Sequence, residues 1–344
     1  MRKPTVGRAP TIIDVASTAG VSVSTVSRVV RNHPDVREET RQAVQEAIDL
    51  LNYRPSPIAR ALVSGQTRML ALLVSDITNP FYPQLAKSVE KEAGKNNYTV
   101  VICNTDDRTA ETRRYLERLL RQGLDGVIHA AVARDEAVLL SLVDDHRRVV
   151  FTNRRPKSKS VSFVVSDNHG GAMQLTNYLL GQGHQIIGFI SGPAFARNAT
   201  ERLDGFRAAM SAHSNAQPLV AEGDFSTRSG AQAAHEFMDG ANPPTAIIGV
   251  NDSIALGAFG ALSERNLRVP DDIALAGFDG VQISSYSLVG LTTVDQHIDE
   301  MGREAVRILI RQLNSPDFVP ARQVLDSRLL IRKTTARLRN PISH

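Results

Sequence analysis

From Met69 onward the chain alternates near-continuous apolar runs with amphipathic segments. The runs are LALLV, YTVVIC, GVIHAA, RVVFTN, IIGFIS, TAIIGV and IALAGF, and stretches such as AETRRYLERLLRQ, ERLDGFRAAM and SIALGAFGALSERN lie between them. A run that is apolar at every position suits a strand buried on both faces, and its alternation with amphipathic helices predicts βαβ units in parallel sheets. The number of runs favours two sheets over one, with a break near Val164 to Asn168. The late strand LTTVDQ and the helix IDEMGREAVRILIRQL after it suggest a return to the first sheet.

Ahead of Met69 the pattern is one of short helices. Ile12, Val15, Ala16 and Ala19 stand at i, i+3, i+4 and i+7 behind Thr11, a capping residue, and Gly20 supplies the left-handed stop. Ser22 then caps a second helix through Val23, Val26 and Val29 or Val30. Its outer face carries Val23, Ser24, Ser27 and Arg28, while Val26 and Val30 point inward. A third helix, within HPDVREETRQAVQEAIDLLNYRP, aligns Val44, Ala47, Ile48 and Leu51 and ends at Pro55, with Asp35 expected as its cap. The segment SPIARALVSGQT follows, too short to form a stable helix unless something packs on it.

Charge separates these two parts. Through Arg68 there are ten Lys or Arg against six Asp or Glu, so the whole excess of +4 sits with the small helices and the remainder is balanced. A basic head on a neutral body points to nucleic acid and away from a membrane surface. The N-terminus has no apolar signal core, no run approaches a membrane span, and the one cysteine, Cys103, lies in an apolar run as a buried filler. A cytoplasmic, nucleoid-associated protein is expected.

The stretch DVASTAGVSVSTVSRVVRN, Asp14 to Asn32, resembles the DNA-binding headpiece of the LacI family of bacterial transcription regulators. The resemblance implies a helix-turn-helix headpiece followed by an α/β core of two Rossmann-like parallel-sheet lobes, like a periplasmic sugar-binding protein. The expected divisions are a headpiece at 1–55, a hinge helix and linker at 56–66, and an effector-binding and dimerisation core at 67–338. Lobe 1 takes about 67–164 and 295–323, and lobe 2 about 165–294 and 324–338. In the headpiece Val23, Ser24 and Arg28 are expected nearest the bases, with Ser27 and Asn32 in the same motif. Arg28 suits guanine, and Thr11, Ser22 and Thr25 suit phosphates. The resemblance makes 56–66 the hinge, where Leu62 wedges between base pairs and small Ala59 lets two hinge helices approach.

Ligands of open α/β sheets lie at the carboxyl ends of strands. The polar and aromatic residues there are Asn79, Phe81, Tyr82, Asn153, Arg154, Arg202, Phe225, Asn251, Asp279 and Gln296. Aromatic faces suit the C–H faces of a sugar, and the amides, carboxylate and guanidinium suit vicinal hydroxyls. The same positions resemble ribose-type periplasmic sugar-binding proteins, except that Asn153 stands where those carry Asp. That exchange, with the basic loop Arg154, Arg155, Lys157 and Lys159, leans toward a sugar acid or sugar phosphate. Asn251 and Asp279 have a plainer reading as helix caps.

No cofactor, metal or catalytic motif emerges. GQGHQI precedes a strand instead of following one, and the chain has no phosphate loop, HExxH, GxSxG or zinc spacing. The expectation is a non-enzymatic repressor of carbohydrate genes, a homodimer on a palindromic operator, switched by a sugar, sugar acid or sugar phosphate. About nine residues after the last strand are too few for a tetramer-forming coiled coil. The alternatives are a sugar receptor without DNA activity and a sugar-modifying enzyme.

Overall fold

A computed structural model describes residues 10–30, 33–53, 66–131, 136–143, 148–315, 317 and 319–335. The chain divides into two compact units, Met1–Thr67 and Arg68–His344.

In the first unit α1 (Ile12–Ala19), α2 (Val23–Val30) and α3 (Glu38–Leu50) enclose Val15, Ala16, Val26, Val29, Val44, Ala47 and Tyr53. The Asp14 carboxylate accepts hydrogen bonds from the backbone N–H and hydroxyl of Thr11, both at 2.7 Å, and so fixes the start of α1. Gly20 follows α1 at φ 66°, a left-handed conformation that costs glycine nothing and lets the chain reverse in a few residues. Val29 lies deeper than Val30 because α2 rotates Val26 and Val29 together onto α1 and α3. One local expectation fails. The cap position of α3 is held by Arg37 without a side-chain bond, and Asp35 instead pairs with His33 at 3.5 Å.

The second unit is built on two sheets, each of six strands among the described residues. The first contains β1 (Met69–Val74), β2 (Thr99–Asn104), β3 (Gly126–His129), β4 (Val149–Thr152), β5 (Ser162–Ser166) and β11 (Arg322–Leu325), in spatial order β11-β5-β4-β3-β1-β2 and parallel throughout. The helices that link these strands are α4 (Phe81–Lys95), α5 (Thr109–Arg121) and α6 (Glu136–Leu142). Along β1, Leu70, Leu72 and Val74 enter one apolar cluster and Ala71 and Leu73 the opposite one. Burial on both faces is the reason the run is apolar at every position. Cys103 belongs to the second of those clusters, 1% exposed, and burial pushes its thiol up to about 11.

The second sheet contains β6 (Ile186–Ser191), β7 (Gln217–Glu222), β8 (Ala246–Gly249), β9 (Ala274–Asp279), β10 (Thr292–Asp295) and β12 (Arg328–Leu330), ordered β12-β10-β9-β8-β6-β7. It is parallel except for β12, which runs against β10. Its helices are α7 (Asn168–Gly181), α8 (Arg197–Ser211), α9 (Thr227–Asp239) and α10 (Asp252–Glu264). The strand LTTVDQ therefore belongs to the second sheet, and the return to the first is made by α11 (Ile298–Asn314), which packs on α4 and on β3 to β5. The chain passes between the lobes after β5, after β10 and after β11. These passages are tied together: Ser166 Oγ donates to the Gln296 carbonyl at 2.7 Å, Ser327 Oγ to the Asp167 carbonyl at 2.9 Å, and Asp167 N–H to the Leu325 carbonyl at 2.9 Å. Side-by-side strands of this kind form a hinge that can bend without breaking either sheet. Among the described residues no helix is long and apolar enough to cross a membrane, and no group of His, Cys, Asp or Glu is arranged to hold a metal ion.

Candidate functional site

Two sites can be built from the described residues, one in each unit. In the headpiece, Ser22 starts α2: its Oγ accepts from the Thr25 N–H at 3.1 Å and lies 2.8 Å from the hydroxyls of both Ser24 and Thr25. The free end of the helix thus presents exposed hydroxyls and backbone donors, the ordinary equipment for a phosphate. Val23 is 42% exposed, Ser24 and Arg28 are exposed and Ser27 is half-buried, so the four share one accessible face while Val26 and Val29 hold the other. Thr11 lies at the start of α1, engaged by Asp14. Asn32, Ala59 and Leu62 lie outside the described residues.

The second site is the cleft between the two lobes of the core. It has about 570 Å³ of empty space, part of it open to solvent. Eight of the ten strand-end residues meet there: Asn79, Phe81, Tyr82, Asn153, Arg202, Phe225, Asn251 and Asp279. Asn79 bends the chain after β1, its Oδ1 accepting from the Phe81 N–H at 3.1 Å, and the Phe81 and Tyr82 rings meet edge to face at 5.2 Å. Burial, then the negative charge of Asp107, raises the Tyr82 phenol well above its usual range, so it stays a neutral donor. From the other lobe, Phe225 turns its ring against Gly192, where a Cβ would stand 2.6 Å from the ring carbons. Asn153, Phe225 and Asp279 all have positive φ, at 65°, 70° and 123°. A strand that continued straight would carry these side chains past the cleft, and the left-handed turn aims them into it.

Arg202 lies across the floor, 2% exposed. Its guanidinium stacks on the Phe278 ring at 3.9 Å, and donates from Nε to Asn168 Oδ1 at 2.9 Å and from Nη1 to the Val250 carbonyl at 2.7 Å and to Asp279 Oδ1 at 3.2 Å. Its Nη2 is buried with no partner, as is Oε1 of Gln296. Burial pulls the Arg202 pKa down and pushes that of Asp279 up, and in each case the partner's opposite charge pulls the other way. Behind them Asp252, raised by burial and then by the Asp279 charge, is held by the Val281 N–H at 3.0 Å and the Thr293 hydroxyl at 2.5 Å.

Two expected residues do not line the cleft. Gln296 sits one layer back, its Nε2 donating to Asp279 Oδ1 at 2.5 Å, so it positions that carboxylate. Arg154 turns away altogether: Nε donates to the Ala131 carbonyl at 2.8 Å, the guanidinium lies over Phe151 at 5.1 Å and Nη1 approaches Glu136 at 3.8 Å. The rest of the basic loop does not reach the cleft either. Arg155 faces Glu201 at 3.5 Å, and Lys157 and Lys159 are exposed outside the lining. Asn251 combines both readings, capping α10 by accepting from the Ile254 N–H at 2.8 Å while also lining the cleft. Asp279 caps nothing, since its carboxylate faces Arg202 and Gln296.

The cleft also contains residues that sequence reasoning missed, namely Ser75, Asp76, Asp107, Asn198, Asp224 and Ser226. Asp76, Asp107 and Asp224 each follow a strand end within a few positions, so the rule that found Asn79 and Phe225 could have found them. Asn198 had no such signal, because it enters from the first turn of α8. There its Nδ2 donates across the cleft to Asn153 Oδ1 at 3.4 Å. The assembled groups are two aromatic surfaces, a buried ion pair with one unpartnered guanidinium donor, and a ring of acceptors. That combination binds a small polar molecule through its ring faces and hydroxyl edges.

Comparison with known proteins covers both units. Residues 11–56 match the bacterial regulatory proteins of the lacI family, and residues 176–335 match the periplasmic binding protein-like domain. The ribose operon repressor of Halalkalibacterium halodurans is 35% identical, over 94% of this chain and 97% of its own length. The repressor PurR of Vibrio atlanticus is 32% identical, over 89% and 93%. Among solved structures, the lac repressor dimer bound to operator and the anti-inducer ONPF superposes with a TM-score of 0.86 at 28% identity, covering 95% of this chain and 99% of that one. A headpiece with an exposed reading helix, joined to a two-lobed core, is thus shared along nearly the whole chain, and the protein belongs to the LacI family of DNA-binding transcriptional repressors.

Proposed function

We propose that this repressor acts as a homodimer on a palindromic operator and is switched by a carbohydrate bound between the lobes of its core. The observation that carries the effector reading is the convergence of Phe81, Tyr82 and Phe225 with Asn153, Arg202, Asn251 and Asp279 in one cleft, drawn from both lobes. Aromatic rings beside hydrogen-bonding edges suit a pyranose or furanose, which is apolar on its faces and polar around its rim. A relative named as a ribose operon repressor supports the same class.

The headpiece supports the DNA reading. Arg28 is the exposed cation of α2 and can contact guanine O6 and N7 through two donors, while Val23 meets a thymine methyl. One headpiece therefore reads few base edges, and two copies are needed for useful specificity. Dimerisation is supported by the edges of the core sheets. β2 and β7 are edge strands, exposing Ile102 (47%) and Val220 (43%). Open edges with apolar side chains invite a partner.

Effector binding favours one angle between the lobes, and the coupling to DNA is the difference in its affinity for two dimer shapes, typically ~1 to 3 kcal/mol. A thermal-shift panel of sugars, sugar acids, sugar phosphates and purine bases, repeated in operator-binding assays, tests the proposal. A sugar that raises the melting temperature and alters operator affinity supports it. A response to purine bases alone, the class suggested by the name of the PurR relative, would replace the carbohydrate with a nucleobase.

A further inference from the structure

We infer that the effector carries no negative charge, because the lining of the cleft, among the described residues, carries a ring of carboxylates and no cation besides Arg202. The inference rests on the reading of the cleft as a carbohydrate site and narrows it to neutral or amine-bearing sugars, excluding sugar acids and phosphates.

Among the described residues, the lining contains four carboxylates, those of Asp76, Asp107, Asp224 and Asp279, against the single guanidinium of Arg202. Arg202 and Asp279 are an ion pair at 3.2 Å, 2% and 7% exposed in their side chains, and cancel each other at the floor. The three that remain come from both lobes. Asp76 Oδ1 accepts from the Thr78 N–H at 2.9 Å and hydroxyl at 2.7 Å. Asp107 Oδ1 accepts from Ser75 Oγ at 2.6 Å, and Asp224 Oδ1 accepts from the Ser226 N–H at 3.0 Å and hydroxyl at 2.5 Å. Donors of this kind stabilise the ionised form, and the Ser226 hydroxyl holds Asp224 below its usual range.

The cations of the basic loop, Arg154, Arg155, Lys157 and Lys159, do not line the cleft. Arg154 is directed at Ala131 and Glu136, and Arg155 at Glu201. The amide of Asn153, which looked like relief of negative charge, is used in a bond from Asn198 instead of facing an anion. An incoming phosphate would meet three like charges in a half-enclosed space, where Coulomb energies are larger than in bulk water. Hydroxyls and ammonium groups, by contrast, donate to carboxylates. At the floor, the unpartnered Nη2 of Arg202 is a buried donor, and the oxygen of a neutral hydroxyl satisfies it.

The test is calorimetry on the full-length protein with matched probes: glucose, glucosamine, gluconate and glucose 6-phosphate, and ribose with ribose 5-phosphate. The acid and phosphate are expected to bind at least about tenfold more weakly than the parent sugar, with glucosamine equal to or tighter than glucose. The gap should narrow at high salt, a readout that needs no variant. It should also narrow in the triple variant Asp76→Asn, Asp107→Asn, Asp224→Asn, since asparagine tolerates the left-handed backbone at Asp107 (φ 53°). A phosphate or acid that binds more tightly than its parent sugar overturns the inference and leaves the carbohydrate reading intact. So does a gap that neither salt nor the triple variant changes. Binding by none of the probes or their wider sugar panel overturns both.

Discussion

Arg202 and Asp279 form an ion pair at 3.2 Å with almost no exposure to solvent, and a second donor, Gln296 Nε2, reaches the same carboxylate oxygen at 2.5 Å. Two charges are expensive to bury, and here the cost is offset by satisfying nearly every other donor around them and by stacking on Phe278. The arrangement fixes a donor edge at the floor of the cleft.

Removing Arg202 leaves a buried carboxylate without a counter-charge. Arg202→Ala is expected to lower stability by about 3 to 5 kcal/mol at neutral pH and to abolish effector binding. The Asp279 pKa, already raised by burial, rises further once the guanidinium is gone. Its protonated form is then reached at higher pH than in the wild type, where it forms near 6, so the deficit of the variant should shrink as pH falls toward about 6 and change little below it. Urea unfolding of both proteins across that range measures it, and a deficit that does not change with pH contradicts the account.

On DNA, Arg28→Ala should relax preference at one base of each half-site and cost about 1 to 3 kcal/mol on operator, with a smaller loss on random duplex. Leu62→Ala, at the hinge position inferred from the family resemblance, should weaken operator more than nonspecific DNA. Equal losses on operator and random sequence, for both variants, would remove the assignment of base reading to α2 and of kinking to the hinge.

For the dimer, Ile102→Lys places a charge on the open edge of the first sheet, where the side chain is 47% exposed. The fold should tolerate it. Light scattering is expected to show a shift from dimer to monomer with an unchanged circular dichroism spectrum, and a variant that stays dimeric would move the interface elsewhere.

The returning helix α11 is clamped to α4 by Glu92, which accepts from Lys95 at 2.6 Å and from Arg307 at 2.9 Å. Those two hydrogen bonds hold the Glu92 carboxyl below its usual 4.5. A depressed carboxylate contributes stability that is fully present above the ordinary value and is lost as pH falls through the folded one. Glu92→Gln should therefore be less stable than wild type at neutral pH, and the difference should close in acid below about 4.5. Parallel acid-unfolding curves for the two proteins would contradict the clamp.

Much of this architecture is legible along the chain. Thr11, Gly20 and Ser22 delimit the headpiece helices because capping is a local matter of backbone donors and one glycine torsion. LALLV and its companions announce buried parallel strands because both faces of each strand are covered. The strand-end rule found eight cleft residues for the same reason: in a parallel sheet all carboxyl ends face one way.

What the linear pattern does not contain is the direction in which each strand-end side chain turns, and what meets it there. Asn153 and Arg154 are neighbours in the chain, yet the φ of 65° at Asn153 sends one into the cleft and leaves the other against Ala131. Asp76, Asp107 and Asp224 become a single ring of charge only when three loops far apart in sequence are brought to one mouth. The chain by itself therefore determined the repressor architecture and the position of the cleft proposed to hold the effector. Tertiary structure decided the charge of that site, because electrostatics sums over neighbours in space, and those neighbours are chosen by the packing of two lobes.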